Sequence, residues 1–400
     1  MTDPGTRRVL VVNAGSSSLK YQLVDPDDGT SEASGLVERI GLADGRARHT
    51  CSAGTFTTES DVPDHARAME LLTAAFAEHG PDLAAVQLVA VGHRVVHGGA
   101  DFSQPTLITA EVVETVRRLI PLAPLHNPGN LEGIEVARET FPDVPQVAVF
   151  DTAFHQTMPA SASTYAVPRA WREEHRVRRY GFHGTSHAYV SRRTAALLGR
   201  PLEDVAIVVL HLGNGASATA VDGGRSVATS MGLTPLEGLV MGTRPGDLDP
   251  GLAGHLADRA GLTPDDFDRA LSKESGLLGL TGSADFREVM ERRAQGDADA
   301  SLAFDVVVHR LLHYVGGYAA VLGRLDALAF TAGIGEHSPE LRAEVLTRLA
   351  GFGVELDPEA NATASGEARI TTASSSVAAF VVPTNEEWEI ARQAAGVVAG

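Results

Sequence analysis

Ile207 to Val221, IVVLHLGNGASATAV, runs an apolar β-branched stretch straight into a Gly-x-Gly turn and then resumes with alternating small and branched residues. That pattern reads as strand, tight turn, strand. Two hundred positions earlier RVLVVNAGSSSLKYQLV repeats it, with Val9, Leu10, Gly15 and Ser17 matching Val209, Leu210, Gly215 and Ser217. Glycine at such a turn lets backbone N–H groups converge on one concavity that suits phosphate oxygens, and the hydroxyls of Ser16, Ser17 and Ser18 add donors. Either turn alone reads equally well as an ordinary hairpin, since hairpin turns select Gly and Asn. Two of them, one in each half, point to a clamp on phosphate. Gly213, Gly215 and Ala218 also satisfy the G-x-G-x-x-A dinucleotide fingerprint, which requires a following helix. Here Ser217 to Val221 alternates like a strand into Asp222-Gly223-Gly224, so that match is coincidental.

Four hundred residues exceed what one core usually serves, and 44% apolar with 21% charged residues is an ordinary globular balance, so two domains are expected. A net charge of −18 argues against a nucleic-acid or anionic-membrane partner, and makes any cluster of arginines stand out. Cys51 is the single cysteine, which excludes an intrachain disulfide and a Cys-based metal site. MTDPGTRRVL lacks an apolar signal core and no apolar run reaches membrane-spanning length, so a cytoplasmic chain is expected. His93/His97 and His183/His187 have the i,i+4 spacing that holds a metal on a helix, but no H-E-x-x-H accompanies them.

Taken in order, Val9 to Val12 and Leu19 to Val24 are strands flanking the first turn, and a meander opens the chain. Lys20, just past the turn, meets phosphate or, equally, solvent. His65 to His79 has helical spacing. Val86 to Val91 is a buried strand delivering His93, Arg94 and His97 to a tip at Gly98-Gly99. Open α/β sheets bind ligands beyond strand carboxyl ends, and a permanently charged planar fork such as Arg94 suits a carboxylate or phosphate there, the alternative being a structural ion pair. Helices follow at Ala110 to Ile120 and Asn130 to Phe141, joined by the proline-punctuated Pro121 to Pro128. Val144 to Phe150 is a strand ending at Asp151, where the first half closes. After YGFHGTSH at 180 to 187 comes a helix through Leu198 whose start Thr185 or Ser186 caps. Residues 229 to 251, rich in glycine and proline with Arg244 in their middle, form a long functional loop. Helices occupy Ser301 to Leu322. The strand Asp326 to Thr331 breaks at Ala332 to Ser338 before another helix, a fair nucleoside or phosphate site. Val377 to Val382 is the last strand, and Asn385-Glu386-Glu387 opens a closing helix.

Paired phosphate turns, arginines and histidines at strand ends and lone carboxylates together describe an ATP-dependent phosphotransferase using Mg²⁺. No G-x-x-x-x-G-K-[ST], H-R-D or D-F-G occurs, so hairpin backbones must hold the phosphates. The chain resembles the acetokinase family of the acetate and sugar kinase, heat-shock chaperone and actin superfamily. The resemblance rests on VNAGSSSLKY (12 to 21), GHRVVHGG (92 to 99), FDTAFHQTMP (150 to 159), YGFHGTSH (180 to 187), HLGNGAS (211 to 217), MGTRPGDLDPG (241 to 251), GIGEHS (333 to 338) and PTNEE (383 to 387).

The resemblance implies an α/β fold of two duplicated actin-like ATPase domains with a nucleotide cleft between them. Residues 1–150, with 383–400 returning, would form the first; residues 151–382 would form the second, carrying nucleotide binding and homodimerisation. It implies transfer of the ATP γ-phosphoryl group to acetate, giving acetyl phosphate and ADP. Asn13 and Glu386 would hold Mg²⁺, with Mn²⁺ as a substitute. Lys20, Ser16 and Ser18 with His211, Leu212, Gly213, Asn214 and Gly215 would meet the phosphates. Asp285, Phe286 and Arg287 with Gly333, Ile334, Gly335, Glu336 and His337 would surround adenosine. Arg94 and Arg244 would bracket acetate and the transferring group beside His183 and His126, with Asp151 the catalytic carboxylate. Acetate needs no deprotonation at pH 7, so Asp151 reads better as orienting arginine than as a proton-transfer group. Val96, Leu125, Phe182 and Pro235 fall where the family lines a methyl pocket, although core packing is the plainer reading of each. His337 and Trp388 depart from the family's usual asparagine and aliphatic residue. Propionate or butyrate kinases of the same family and a non-catalytic actin-like ATPase clamp are the competing functions. The clamp has no reason to keep Arg94, His183 and Arg244 on loops.

Overall fold

A computed structural model describes residues 7–400. The chain divides into two compact units, one running to Phe154 and regaining Asn385–Gly400, the other His155–Thr384.

In the first unit, β1 (Arg7–Ala14), β2 (Ser18–Val24), β3 (Ser31–Glu38), β4 (Leu42–Cys51), β5 (Gly54–Val62), β6 (Gln87–Val95), β7 (Thr106–Leu107) and β8 (Gln146–Phe150) form one sheet, ordered β5-β4-β3-β2-β1-β6-β8-β7. β1 pairs antiparallel with β2 and parallel with β6, and β6 pairs parallel with β8. Both faces of the central strands are covered, which is why Val9 to Val12 is continuously apolar rather than alternating. One face packs on the helix His65–His79, with Leu10, Leu19, Leu23, Met69, Leu72 and Phe76 buried together. The other receives the closing helix Glu386–Ala399, whose Ile390, Ala391, Ala394 and Ala395 lie on Val9, Val11, Ala90, Val147 and Val149. Asn385 caps that helix, its Oδ1 accepting from the Trp388 N–H at 2.9 Å.

The second unit has β9 (Ala206–Leu212), β10 (Ala216–Asp222), β11 (Arg225–Thr229), β12 (Ala327–Thr331), β13 (Ala368–Arg369) and β14 (Ala378–Val381), ordered β11-β10-β9-β12-β14-β13. Its sense matches β3-β2-β1-β6-β8-β7 strand for strand: three antiparallel strands, two parallel additions, then an antiparallel edge. The hairpins therefore correspond with Ala14 on Leu212 and Gly15 on Gly213, because Ala14 closes the first turn against Leu19 and Leu212 closes the second against Ala216. Sequence identity at a spacing of 200 thus misses the structural register by two residues on the first strand and by three on the second, the first turn being one residue longer.

Several boundaries differ from the sequence reading. β6 runs on to Val95, so His93 and Arg94 lie inside the strand, and His93/His97 share no helix. Thr185 and Ser186 do not cap the helix Gly184–Leu197; its N-cap is His183, held at φ 57, with no side-chain cap bond. Ser301 to Leu322 is part of one 25-residue helix, Ala298–Leu322, capped by Asp297. Ala332 to His337 is itself a short helix rather than a break. β3 to β5 and the helices Leu252–Ala260, Pro264–Lys273 and Gly276–Thr281 lie where the sequence reading places no element.

Candidate active site

In the first unit the parallel strands β6 and β8 end side by side, and their ends carry the chemistry. Arg94, next to last in β6, spans Asp151, one residue past β8, with Nε to Oδ1 at 3.0 Å and Nη2 to Oδ2 at 2.7 Å. The Asp151 backbone N–H also donates to the Val95 carbonyl at 3.0 Å. Asp151 is 1% exposed. Burial raises its pKa, opposed by the paired guanidinium and reinforced by Glu386. Burial pulls Arg94 the other way, but Asp151 and Glu386 more than offset it and the guanidinium ends higher. The bidentate contact to a permanently charged arginine decides the pair, and Asp151 is a carboxylate at neutral pH. Glu386, in the first turn of the closing helix, lies 3.9 Å from Arg94 Nη2, and the neighbouring Glu387 lies 3.8 Å from Lys20 Nζ.

The turn after β1 is braced from below. Asn130 donates through Nδ2 to the Ala14 carbonyl at 2.6 Å and accepts the Val96 N–H at 3.0 Å, so one buried amide joins the end of β1 to the segment leaving β6. Asn127 does the same for His97, its Oδ1 accepting the His97 N–H and its Nδ2 donating to the His97 carbonyl. Gly129 sits against the turn itself: a Cβ there would lie 2.8 Å from the Gly15 carbonyl carbon and oxygen. Asn13 and Lys20 line a cavity of about 360 Å³ shared with Glu387 rather than Glu386. Ser16 is exposed and Ser18 half-buried. Val96 is half-buried; Leu125 is 62% exposed and His126, at the N-cap of the helix Asn127–Thr140, is exposed, so neither belongs to a packed core.

Mg²⁺ takes hard oxygen ligands and usually keeps waters and substrate phosphates in its shell, with only one or two protein carboxylates. The Asn13 amide oxygen and the Glu386 and Glu387 carboxylates, all in this unit, fit that donor set. No group of three or more His, Cys, Asp or Glu able to hold a metal occurs among the described residues.

In the second unit the β9–β10 hairpin collects histidines and an arginine. His183 and His211 stack with ring centroids 4.2 Å apart, 23° between planes. Ser217, opposite His211 across the hairpin, lies with its Oγ 2.9 Å from His183 Nδ1 and 2.8 Å from His187 Nε2. Arg244 comes from the long loop and donates through Nη1 to the Pro235 carbonyl at 2.8 Å. Its Nη2 occupies the space beside Gly215, where a Cβ would lie 2.6 Å away. Among the described residues it meets no carboxylate, and burial lowers its pKa. Pro235 thus contributes a carbonyl to Arg244, while Phe182 is 3% exposed, its carbonyl 2.9 Å from His155 Nε2.

A separate cavity of about 520 Å³ opens on the same hairpin, lined by Gly213, Asn214, Asp285, Phe286, Arg287, Gly333, Ile334 and His337. Asp285 caps the helix Phe286–Ala294 and pairs with Arg287, whose hydrogen bonds together with the backbone bring the carboxyl down to about 2. Gly335 and Glu336 stand apart from this lining. Their carbonyls accept from the buried Arg342 at 2.9 and 2.7 Å, and Gly335 faces the Phe330 backbone. Leu212 faces the apolar space beneath the hairpin. Sequence reasoning gave no site role to Asn127, Asn130 or Arg342, and read Ser186 as a helix cap, His187 as a spacing partner of His183 and Ser217 as a turn residue; the last three lie inside motif blocks, whereas the first three carry no such signal.

Residues 8–392 match the Acetokinase family. The chain is 58% identical over 392 residues to the acetate kinase of Leifsonia xyli subsp. xyli, covering 98% of this chain and 99% of that protein. The crystal structure of Porphyromonas gingivalis acetate kinase is similar at a TM-score of 0.93 and 41% identity, over 98% of this chain and 100% of that one. A propionate kinase from Francisella tularensis subsp. tularensis is similar at 0.91 and 41%, with the same coverage. The matched sheets, the glycine hairpins that end them and this end-to-end likeness agree, and the chain belongs to the acetokinase family, with its duplicated actin-like α/β fold.

Proposed function

We propose that the chain catalyses reversible transfer of the ATP γ-phosphoryl group to acetate, giving acetyl phosphate and ADP. The observation that carries this reading is Arg244: a half-buried guanidinium, held by a carbonyl beside the Gly213–Gly215 turn, with no carboxylate among the described residues to compensate it. Such a charge is costly until an anion arrives, so the site is built for a phosphoryl or carboxylate group. Relatives 55–58% identical over nearly the full length are acetate kinases, which supports acetate as the acid.

In the transfer, an acetate oxygen forms a bond to the γ-phosphorus in line with the breaking bond to the β-phosphate oxygen, and ADP leaves with the electron pair. No proton moves, because acetate is already ionised at pH 7. Arg244 and His183 would neutralise the equatorial oxygens, and Arg94 would hold the acid carboxylate. Asp151 is engaged by both nitrogens of Arg94, which supports a role in aiming that guanidinium over one in acid–base chemistry. The β9–β10 turn and the cavity bearing Asp285 to Arg287 would take the phosphates and adenosine. Asn13 and Glu386 would hold Mg²⁺, which supplies charge neutralisation on the phosphates. Homodimerisation would use the second unit, where Leu302 and Val321 on the helix Ala298–Leu322 are 55% and 59% exposed. No helix among the described residues is long and apolar enough to cross a membrane, which accords with a cytoplasmic enzyme.

Propionate is the second reading, supported by the equal 41% identity to the propionate kinase structure. Trapping acyl phosphate with hydroxylamine in the presence of ATP and Mg²⁺, across acetate, propionate and butyrate, tests both. Acetate is expected first and propionate a poorer but real substrate, since one methylene shifts selectivity by only ~1–3 kcal/mol. Butyrate turning over fastest, or no acyl phosphate at all, would sink the proposal.

A further inference from the structure

Ser217 has one proton and two histidine nitrogens to share it with. It is fully buried, and its Oγ lies 2.9 Å from His183 Nδ1 and 2.8 Å from His187 Nε2. The hydroxyl has no other partner among the described residues and a buried O–H needs an acceptor, so one contact is a bond donated by the hydroxyl and the other a bond donated to it.

Which is which follows from the far side of His187. That ring is fully buried, and its Nδ1 has no hydrogen-bond partner among the described residues. An orphaned buried N–H donor is rarer and more costly than an orphaned acceptor, so Nδ1 is the bare nitrogen and the proton sits on Nε2. A doubly protonated ring would bury both an unpaired donor and a charge. Burial, with His155 and His211 nearby, also lowers the His187 pKa well below its ordinary value. His187 Nε2–H thus donates to Ser217, the Ser217 hydroxyl is left to donate to His183 Nδ1, and the His183 ring proton is confined to Nε2.

His211 repeats the arrangement. Its Nδ1 is 2.8 Å from the buried Ser186 Oγ, and Ser186 accepts from the Thr384 hydroxyl at 2.9 Å. Ser186 is fully buried and His211 Nδ1 is its one other side-chain contact among the described residues, so its own proton, which needs an acceptor, goes to His211 Nδ1, and His211 too carries its hydrogen on Nε2. Two neutral rings stacked at 4.2 Å are compatible; two imidazolium cations there would repel.

We propose that Ser217 and His187 are positioning residues that fix the tautomer of His183, that Ser186 and Thr384 do the same for His211, and that the stacked pair offers two neutral Nε2–H donors to the transferring phosphoryl group. The last clause rests on the phosphoryl-transfer reading above; the tautomers do not. A donor of this kind is set before the reaction and needs no reorganisation as charge develops on phosphorus. A histidine held in the wrong tautomer loses most of its value in catalysis even with its geometry intact.

The test is ¹⁵N NMR of the full chain with histidine rings labelled, the His183 signals being assigned by their loss in His183→Gln. Protonated Nε2 and bare Nδ1 are expected for His183 in the wild-type protein. Ser217→Ala should mix the two tautomers and lower kcat by about 10- to 100-fold, with KM for acid and ATP within about threefold. His187→Gln places an amide N–H where Nε2–H was and should keep the tautomer, whereas His187→Phe should lose it. Nδ1–H on His183 in the wild-type protein overturns the relay without reference to any variant, as does Ser217→Ala leaving tautomer and kcat unchanged. The expected tautomers in a chain that makes no acyl phosphate would overturn the donors' role and the reaction together, while the converse would overturn the relay alone.

Discussion

Arg94 and Arg244 carry the same charge in opposite settings, and that difference is testable. Arg94 is matched by Asp151 and approached by Glu386, whereas among the described residues Arg244 has only a carbonyl. Arg94→Ala leaves the Asp151 carboxylate buried without its partner and should cost roughly 3–5 kcal/mol of stability in urea unfolding, besides raising the acetate KM. Arg244→Ala removes an uncompensated charge and should leave stability nearly unchanged while lowering kcat by roughly 10³-fold, with the ATP Kd little moved. Lysine at either position restores charge without the planar fork and should rescue only in part. Equal stability losses in the two alanine variants would contradict the ion-pair assignment.

Two core histidines make stability depend on pH. Burial lowers His93, hydrogen-bonded to Gln146, and His155, bonded to Ser226 and the Phe182 carbonyl, to about 4 each. Both are neutral in the fold, while the unfolded chain takes up protons below its ordinary value of about 6.5. The unfolded state then binds more protons, so their contribution is present above pH 6.5 and is lost as pH falls toward 4. Urea midpoints between pH 7 and 4.5 should fall, and His93→Gln should flatten that slope by about one proton's worth. An unchanged slope in that variant would remove His93 from the account.

At the scale of elements, the loop from Ser230 to Asp247 has almost no regular structure, yet it holds Arg244 in place. Arg179 does much of this, donating through Nη1 to the carbonyls of Thr229, Ser230 and Met231 at 3.1, 2.8 and 3.0 Å, and through Nη2 to Glu237. Asp247 anchors the other end, accepting from the Tyr314 hydroxyl at 2.9 Å and the Gly238 N–H at 2.9 Å. Arg179→Leu leaves three carbonyls and a carboxylate without their donor. Faster amide exchange confined to residues 229–247, with kcat falling alongside, is the expected result. Exchange unchanged in that segment would show the loop is held elsewhere. Gly215 obeys a related constraint: a side chain there meets Arg244 first, so Gly215→Val should damage turnover as well as nucleotide affinity.

For the molecule as a whole, the last sixteen residues belong with the first unit although the entire second unit separates them from it in sequence. The helix Glu386–Ala399 covers an apolar sheet face, and Trp388 Nε1 donates to the Pro26 carbonyl at 3.1 Å with its ring against Gly29. Ending the chain at Thr384 should expose Val9, Val11, Val147 and Val149. The truncated protein is expected to bind a hydrophobic dye or aggregate at temperatures where the intact chain is folded. A truncated chain that melts like the full one would mean this helix adds no stability.

Turn chemistry and apolar period are local properties of consecutive residues, so the two hairpins, the strand ending near Arg94, the helix His65–His79 and the family are legible along the chain. Boundaries slip where tertiary pairing extends a strand past its apolar run, as β6 does through His93 and Arg94, or where a long helix begins before its apolar residues do, as at Asp297. Who partners whom emerges only on packing. Arg94 finds Asp151 across 57 residues, and Asn130 finds the Ala14 carbonyl across 116. Ser217 reaches His183 and His187 across 34 and 30. A polar side chain's role is set by the one or two atoms left within hydrogen-bond reach once both sheets are packed, and no spacing along the chain encodes that choice.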